Sequence, residues 1–393
     1  MRFFVSHHAT EQYSLIPYTD REIVKAVRHF FPDARSHLFG RDDAADARQF
    51  LAMKQACDTG EPMFSLDTTG QIPFHSLPFS AERNKLIYLS DAPFGSFTLL
   101  RAMPEGSYVG YSDRRFLEFH QDSGLPIRPV FLPHGGPVTV DRGKDPGDRA
   151  LPVAFIGKVE NPEPSGQFDH AALGGDPALL ALFRQAADLS RDSGEEIYRA
   201  YRSTCLGRGE NPMAVLPREA MCEVLWAMQH WVEAHRRLEV LRGFADRPID
   251  IFGPVDQAIP GVTDRGHRFH GPIQGKQALQ VLQETRILLN PVFVLAGGGH
   301  ERIWFALANG CLPLTDPSRF VEESFTDGES LLFIDYADPS GSAEKAWAMA
   351  QAPDRIREML DRAVPIYEAG HTWISRLREA FRQIPELTPY AAD

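Results

Sequence analysis

Short apolar runs alternate along the chain with longer stretches whose apolar residues have helical spacing, and this pattern predicts an α/β protein. In the first half the apolar runs predict strands at residues 1–5, 62–66, 85–93, 108–113 and 130–136. In the second half they predict strands at 151–158, 249–253, 268–271, 286–293, 312–316 and 331–334. The helical patterns cover 19–31, 113–120, 176–243, 276–285, 300–309 and 343–384, and Thr19 to Glu22 form a capping box at the start of the first.

Three consecutive glycines, Gly297–Gly299, join one predicted strand to the next helix. Glycine lets a ligand approach the main chain, and the first turn of a helix offers unpaired N–H groups and a positive dipole end. A diphosphate would be held at this junction, where His300 and Arg302 add donors and Glu301 adds a carboxylate. The alternative is that the glycines form only a flexible turn. The spacing fits neither the dinucleotide-binding fingerprint nor a P-loop.

Polar residues follow several predicted strands of the first half. His7, Asp91 and His134 each come directly after an apolar run. Because the carboxyl ends of parallel strands share one edge of a sheet, this is where open α/β folds bind ligands. We rank Asp91 first as a candidate general base, since it ends the clearest strand, and keep His7 and His134 as further candidates. For each of them a turn cap, or a histidine satisfied by the backbone, is an equally good interpretation.

The length and the local composition predict two domains. Residues 137–150 are rich in Pro, Gly and charge, as linkers are, so we expect an N-terminal domain over 1–140 and a C-terminal domain over 151–365. Within the second, the helical segment 176–243 could shape an acceptor site, form a dimer contact or cover a sheet face. Residues 366–393 are expected to form a helix that packs back toward the N-terminal domain.

Charge and cysteine content narrow the function classes. The formal net charge of −12 argues against a general nucleic-acid or membrane-surface binder, although a local basic cleft for one phosphorylated ligand remains open. The four cysteines are scattered without metal-ligand spacing, so reduced thiols are expected. No apolar run reaches the length of a membrane span, which favours a cytoplasmic protein with at most peripheral membrane contact.

Five segments in this order resemble glycosyltransferases of the GT-B type, and most closely the group related to the spore-maturation protein CgeB. They are Leu132–Gly135, Phe155–Lys158, the run from Gly297 through His300–Arg302 to Cys311, Phe325–Phe333, and His371–Arg376. The resemblance extends from about residue 85 to the end of the chain. It implies two Rossmann-like domains facing each other across a cleft. A nucleotide-sugar donor would bind mainly to the C-terminal domain and an acceptor to the N-terminal domain.

The resemblance also implies site residues. Gly157 and Lys158 match the glycine and cation that face the donor diphosphate, and the helix opened by His300, Glu301 and Arg302 matches the phosphate-facing helix after Gly298 and Gly299. Either Glu322 or Glu323 falls near the carboxylate that contacts ribose. Asn290, at the end of a predicted strand, could touch the nucleotide, although a plain turn explains it equally well.

One position departs from the resemblance. Related retaining enzymes usually carry Glu where this chain has Phe305. Phenylalanine cannot accept a hydrogen bond from a sugar hydroxyl, so another carboxylate must replace it or the donor binds differently. The stereochemical outcome is therefore left open.

The predicted activity is hexosyl transfer from a nucleotide-diphosphate sugar to a glycan, a lipid-linked sugar or a protein, in a setting such as bacterial cell-surface glycan synthesis. No convincing Asp-x-Asp ends a strand, so we expect no metal and no cofactor beyond the donor, with Lys158, Arg302 and the helix end stabilising the leaving group. A nucleotide-sugar epimerase or hydrolase and a non-catalytic nucleotide-sugar-binding protein are the alternatives. A homodimer also remains open.

Overall fold

Two parallel β-sheets of six strands each form the frame of the molecule. The computed structural model describes residues 1–8, 15–39, 45–48, 51, 55, 63–68, 84–162, 173–256, 258–293 and 295–391. The first sheet contains β1 (Arg2–His8), β2 (Arg35–Phe39), β3 (Met63–Asp67), β4 (Asn84–Leu89), β5 (Tyr108–Tyr111) and β6 (Arg128–Phe131). The second contains β7 (Leu151–Ile156), β8 (Asp250–Phe252), β9 (Arg268–Gly271), β10 (Thr285–Asn290), β11 (Leu312–Thr315) and β12 (Leu332–Phe333).

Helices connect the strands and cover the sheets. The first half contains α1 (Ile16–Phe30), α2 (Phe97–Arg101) and α3 (Phe116–Ser123). The second half contains α4 (Pro177–Ser193), α5 (Ile197–Gly207), α6 (Arg218–Gly243), α7 (Lys276–Glu284), α8 (Glu301–Ala308), α9 (Arg319–Glu322), α10 (Pro339–Ala350), α11 (Pro353–Gly370) and α12 (Trp373–Arg382). Within the ranges that the structure describes, no helix is both long and apolar enough to cross a membrane.

Both sheets have a doubly wound order. The strand orders are β2-β1-β3-β4-β5-β6 and β12-β11-β10-β7-β8-β9, and every pairing is parallel. In each sheet the order reverses beside its first strand, so a crevice opens at the carboxyl ends of β1 and β3 and of β7 and β10. The predicted α/β class with two Rossmann-like halves is confirmed.

The two faces of the N-terminal sheet are covered by different parts of the chain. Side chains alternate across a strand, so Phe3 and Val5 point to one face and Phe4 to the other. Phe3 and Val5 share an apolar cluster with Trp373 and Phe381 of α12, the last helix of the chain.

The opposite face is covered by the helical segment that the sequence placed in the C-terminal domain. Phe4 and Leu89 cluster with Phe183 of α4, Tyr201 of α5 and Leu225 of α6. The periodicity identified the apolar faces of these helices but not the sheet that they cover.

Helix α6 belongs to both halves. Leu225 packs in the cluster of the N-terminal sheet, whereas Leu238 and Leu241 pack in the cluster of the C-terminal sheet. A helix of 26 residues spans about 39 Å at 1.5 Å per residue, which is enough to reach from one core to the other. The two halves are therefore joined by a continuous rigid element as well as by the connecting segment.

The start of α1 differs from the sequence prediction. The helix begins at Ile16, before Thr19, and Pro17 lies in its first turn, where the missing N–H of proline costs nothing. Glu22 does not close a capping box, because its carboxylate accepts a hydrogen bond from Val138 N at 2.9 Å. Strand β2 was not predicted. Cys57 lies outside the described residues, and Cys205, Cys222 and Cys311 are buried free thiols.

The predicted linker is fixed to the C-terminal half by Arg149, which is only 2% exposed. Nε of Arg149 donates to Lys144 O, Nη1 donates to the carbonyls of Leu282 and Thr285, and Nη2 donates to those of Arg142 and Asn309. These five bonds use all five N–H donors of the guanidinium. The segment that composition predicted to be a linker is therefore anchored to the ends of α7 and α8.

Candidate functional site

Helix α8 starts at the cleft, and His300 is its N-cap. Nδ1 of His300 accepts a hydrogen bond from Arg302 N at 3.2 Å, so a neutral ring carries its proton on Nε2. Burial is the main cause that holds the pKa of His300 well below its ordinary value, and the positive charges of Arg302 and Arg237 lower it further. Glu301 Oε2 also lies 3.3 Å from Nδ1, which for a neutral ring is a close approach and not an ion pair. His300 thus offers a neutral N–H donor at the start of the helix.

The glycine run serves a contact between the two halves. Asp113, which follows β5 and is fully buried, accepts a hydrogen bond from Gly297 N at 2.7 Å. A Cβ on Gly298 would lie 2.2 Å from Ser112 O, so only glycine allows this approach. Gly298 N donates to Leu295 O at 3.3 Å. The N–H groups of Gly297 and Gly298, which the sequence analysis offered to a diphosphate, are therefore already hydrogen-bonded within the protein.

A cavity of 440 Å³ opens beside the glycine run, at the carboxyl ends of β10 and β11. Its lining includes Gly298, Gly299, His300, Phe293, Thr315, Asp316, Ser318, Glu322, Tyr336 and Arg236. Of the two predicted carboxylates, Glu322 lines the cavity. Glu323 instead pairs with Arg114 Nη1 at 2.8 Å, in a second contact between the halves.

Asp316 builds the wall of this cavity. Its Oδ2 accepts hydrogen bonds from Val292 N at 2.6 Å and Phe293 N at 2.9 Å, and its Oδ1 accepts one from the Tyr336 hydroxyl. Phe293 has a φ of 64°, a left-handed conformation that a bulky residue adopts only when its surroundings hold it there. The Arg236 guanidinium lies 4.6 Å from the ring of Phe293 and 4.3 Å from that of Tyr336. These planar groups give the cavity a wall suited to an aromatic base.

A smaller cavity of 180 Å³ adjoins the first, and both are lined by His300. Its lining includes Gly157, Lys158, Glu301 and Arg302. Arg302 Nη1 donates to Ile156 O at 2.6 Å, and a Cβ on Gly157 would lie 3.3 Å from that nitrogen. Burial lowers the pKa of Arg302 to about 10, which leaves it charged at neutral pH. Lys158 is 43% exposed and pairs with Glu160, so Arg302 is the more enclosed cation.

Helix α6 contributes residues that the sequence analysis missed. Arg237 Nη1 donates to Lys158 O at 2.9 Å, and its Nε is buried without a hydrogen-bond partner. Burial raises the pKa of Glu233, and the opposite charges of Arg237 and His230 partly offset that rise. His230, Glu233 and Arg237 are spaced i, i+3 and i+7, so they form a polar stripe on a largely apolar helix. This spacing of polar residues is the sequence feature from which they could have been identified.

On the N-terminal side of the cleft, Asp91 and His134 come together at the end of β4. His134 Nδ1 accepts from the Tyr88 hydroxyl at 2.7 Å, and its Nε2 donates to Ser90 O at 3.2 Å, so both ring nitrogens are used. Ser90 Oγ donates to Asp91 Oδ2 at 3.1 Å. The Asp91 side chain remains accessible in the cleft, and the surrounding protein raises its pKa. Asp91 is therefore the more accessible of the two candidate bases, because both ring nitrogens of His134 are already hydrogen-bonded.

The two halves meet at this cluster. Glu301 Oε2 of α8 lies 3.6 Å from His134 Nδ1. The charge of Glu301 also acts on Tyr88 and Asp91, raising the pKa of both after the larger effect of burial. The start of α8 and the end of β4 therefore face one common space.

Three other predicted positions lie apart from it. His7 bonds through Nδ1 to Thr68 Oγ1 at 3.0 Å and lies 3.2 Å from Asp20. Asn290 is buried, and its amide donates to Thr315 Oγ1 at 3.0 Å. Phe305 packs in an apolar cluster with Leu282 and Leu288. None of these three side chains lines either cavity.

Residues 226–382 match a protein family described as glycosyl transferase-like. The match begins within α6, spans the C-terminal sheet and ends with α12, covering less than half of the chain. A search of curated protein sequences finds no match.

Three solved structures of similar fold, each distant in sequence, illustrate the similarity. A sucrose-phosphate synthase from Thermosynechococcus elongatus is 10% identical with a TM-score of 0.53, over 99% of this chain and 100% of that one. Anabaena Alr3699/HepE, in complex with UDP and glucose, is 10% identical with a TM-score of 0.51 over 99% and 100%. A DNA-modifying β-glucosyltransferase, studied with and without uridine diphosphoglucose, is 11% identical with a TM-score of 0.51 over the whole of both chains.

The fold is therefore that of GT-B glycosyltransferases. The fold predicted from the sequence is confirmed, and residues 226–382 are similar to a glycosyl transferase-like family. The narrower resemblance to the CgeB group stays a prediction.

Proposed function

We propose that the chain transfers a hexose from a nucleoside-diphosphate sugar to an acceptor hydroxyl without a metal ion. The observation that carries the proposal is that two adjoining cavities share His300 at the start of α8, beside Arg302 and opposite Asp91. In this proposal the base and ribose occupy the larger cavity, with Glu322 near the ribose. The diphosphate lies at His300 and Arg302, and the sugar extends toward Glu301.

The chemistry is a single displacement. The acceptor oxygen bonds to the anomeric carbon, the bond from that carbon to the diphosphate oxygen breaks, and the acceptor proton passes to the Asp91 carboxylate. Arg302, Arg237 and the Nε2–H of His300 stabilise the negative charge that develops on the departing diphosphate. The helix dipole of α8 acts in the same direction. Cationic side chains thereby take the role that a bound metal plays in other transferases.

Binding of nucleoside diphosphates is the first test. We would measure UDP, GDP, dTDP, ADP and CMP by calorimetry with and without Mg²⁺, starting from UDP because Anabaena HepE was solved with it. Arg302→Gln removes the charge but keeps an N–H donor for Ile156 O. We expect one diphosphate to bind the wild type in the absence of Mg²⁺ and the variant to bind at least about tenfold more weakly, since a charged hydrogen bond is worth about 1.5–3 kcal/mol.

Arg142→Gln is the matched control, because it removes the same charge from an exposed residue that pairs with Asp361 outside both cavities. It should leave binding unchanged. If no diphosphate binds, the donor site is wrong. If one binds but the sugar nucleotide is never turned over, the chain is a nucleotide-sugar-binding protein, and turnover to free sugar alone would favour a hydrolase.

A further inference from the structure

A third cavity, of 540 Å³, lies on the N-terminal side of the cleft between residues 92–99 and the first half of α6. Its lining includes Asp91, the candidate base, so the cavity reaches the proposed reaction centre. Gly95, Glu219, Glu223 and Trp226 also line it. We call it the acceptor cavity.

Trp226 gives this cavity an aromatic wall. A Cβ on Gly95 would lie 3.0 to 3.2 Å from three atoms of the indole ring, so the absence of a side chain at Gly95 is what lets the ring lie in place. The His230 ring lies nearly perpendicular to the indole ring, with 4.5 Å between the ring centroids. Trp226 remains partly exposed. An accessible indole held on two sides is a rigid platform for the C–H face of a sugar ring.

The charged groups of the acceptor cavity are acidic among the residues that the structure describes. Three carboxylates line it, those of Asp91, Glu219 and Glu223, and none of these described lining residues is Lys, Arg or His. Arg101 pairs with Glu219 and offsets part of that charge, whereas Glu223 is exposed. Carboxylates accept hydrogen bonds from hydroxyl and ammonium groups and repel phosphates and carboxylates.

We propose that this cavity binds the acceptor and that the acceptor's terminal residue is an uncharged or amino-bearing sugar, and not a phosphorylated or uronic one. The proposal rests on the proposed transferase function. The sugar ring stacks on Trp226, its hydroxyl or amino groups bond to Glu223, and one hydroxyl reaches Asp91. That hydroxyl loses its proton to Asp91 as its oxygen bonds to the anomeric carbon of the donor and the nucleoside diphosphate leaves.

Saturation-transfer NMR tests the proposal without a donor. The probes are methyl glucoside, methyl galactoside and glucosamine, with glucose 6-phosphate and glucuronate as the anionic contrast. We expect a saturation-transfer signal from the neutral and amino sugars and none from glucose 6-phosphate or glucuronate. Trp226→Ala should weaken sugar binding about tenfold or more, and Trp226→Phe should retain most of the binding because an aromatic face remains. Glu223→Lys should admit the anionic sugars.

Failure of the acceptor proposal can be distinguished from failure of the proposed donor site. Nucleoside-diphosphate binding by Trp226→Ala, measured as above, shows whether that variant is folded and should equal that of the wild type. Sugar binding at Trp226 without any diphosphate binding would remove the transferase function and leave a sugar site. The acceptor proposal is overturned if no neutral or amino sugar binds the wild type, if Trp226→Ala binds them undiminished, or if anionic sugars bind equally well.

Discussion

At the scale of single residues, Asp91 decides how the proposed reaction depends on pH. The side chain is accessible, but the protein around it removes part of its hydration, and this desolvation is the largest influence on its pKa and raises it, while the hydrogen bond from Ser90 lowers it. A general base is most effective when its pKa lies near the working pH, and an ordinary aspartate is too weak a base for that. The environment of Asp91 therefore moves it in the direction that catalysis requires.

The rate of transfer should fall as the pH decreases through the raised pKa of Asp91, because only the ionised carboxylate accepts a proton. The profile of kcat/KM against pH should show this acid limb above the range of an exposed aspartate. Ser90→Ala removes a hydrogen bond that favours the ionised form, so it should move the limb to higher pH at a similar plateau.

Asp91→Asn provides the second arm of that measurement, and it should lower kcat by about 10²- to 10⁴-fold. An acid limb that Ser90→Ala does not move, or an asparagine variant of normal activity, would remove Asp91 from the role of base.

At the scale of elements, Arg149 joins the connection between the halves to the ends of α7 and α8. Its five donors satisfy five backbone carbonyls, and a Cβ on Gly310 would lie 2.6 Å from its Nη2. Lysine has three donors at a single point and cannot reproduce this fork.

Arg149→Lys should therefore lower the free energy of unfolding by about 3 kcal/mol or more, because buried carbonyls that lose their partners cost about 1–3 kcal/mol each. Arg142→Lys, an equivalent change at an exposed position seven residues earlier, should change it by less than about 0.5 kcal/mol. Denaturant unfolding of both variants measures the difference. Equal stabilities would mean that the connecting segment is not anchored by Arg149.

Most of the strands and long helices were predictable, because most strands are short apolar runs and the helical segments carry apolar residues at helical spacing, whereas β2 lies in a stretch of mixed pattern and was not predicted. The start of α1 was not, since Pro17 allows the first turn to begin before the capping-box sequence at Thr19. The packing of α4 to α6 on the N-terminal sheet could not be predicted from the sequence either, because periodicity shows which face of a helix is buried and not what covers it.

The same distinction holds in the candidate site. Residues placed by one strand end or one helix start, such as Asp91, His300 and Arg302, could be found by reading along the chain. Arg237 and Trp226 could not, because their positions depend on α6 crossing between the halves, which places Trp226 in the acceptor cavity and lets Arg237 donate to Lys158 O. The glycine run was recognised, but its close neighbour is Ser112 from the other half.

At the scale of the whole molecule, the N-terminal sheet is completed by the other half of the chain. One face packs against α12, where Trp373 and Leu377 contact the cluster around Phe3, and the other face packs against α4 to α6. A separate fragment of residues 1–150 would expose both apolar surfaces, although its sheet contains six strands. Burying one apolar side chain contributes about 1.5–3 kcal/mol. Summed over the apolar side chains on both faces, the stabilisation lost by the fragment exceeds the free energy of unfolding of an ordinary domain.

We therefore expect residues 1–150 expressed alone to lack a cooperative thermal transition, and residues 1–150 coexpressed with 151–393 to assemble into a complex that melts cooperatively. Circular dichroism of the fragment and copurification of the pair measure the two outcomes. Mutation of Leu225 and Leu377 to Asp in the second fragment should abolish assembly, because it places charge in both apolar interfaces. Independent cooperative folding of 1–150 would show instead that the N-terminal half is an autonomous domain and that α6 and α12 only attach to it.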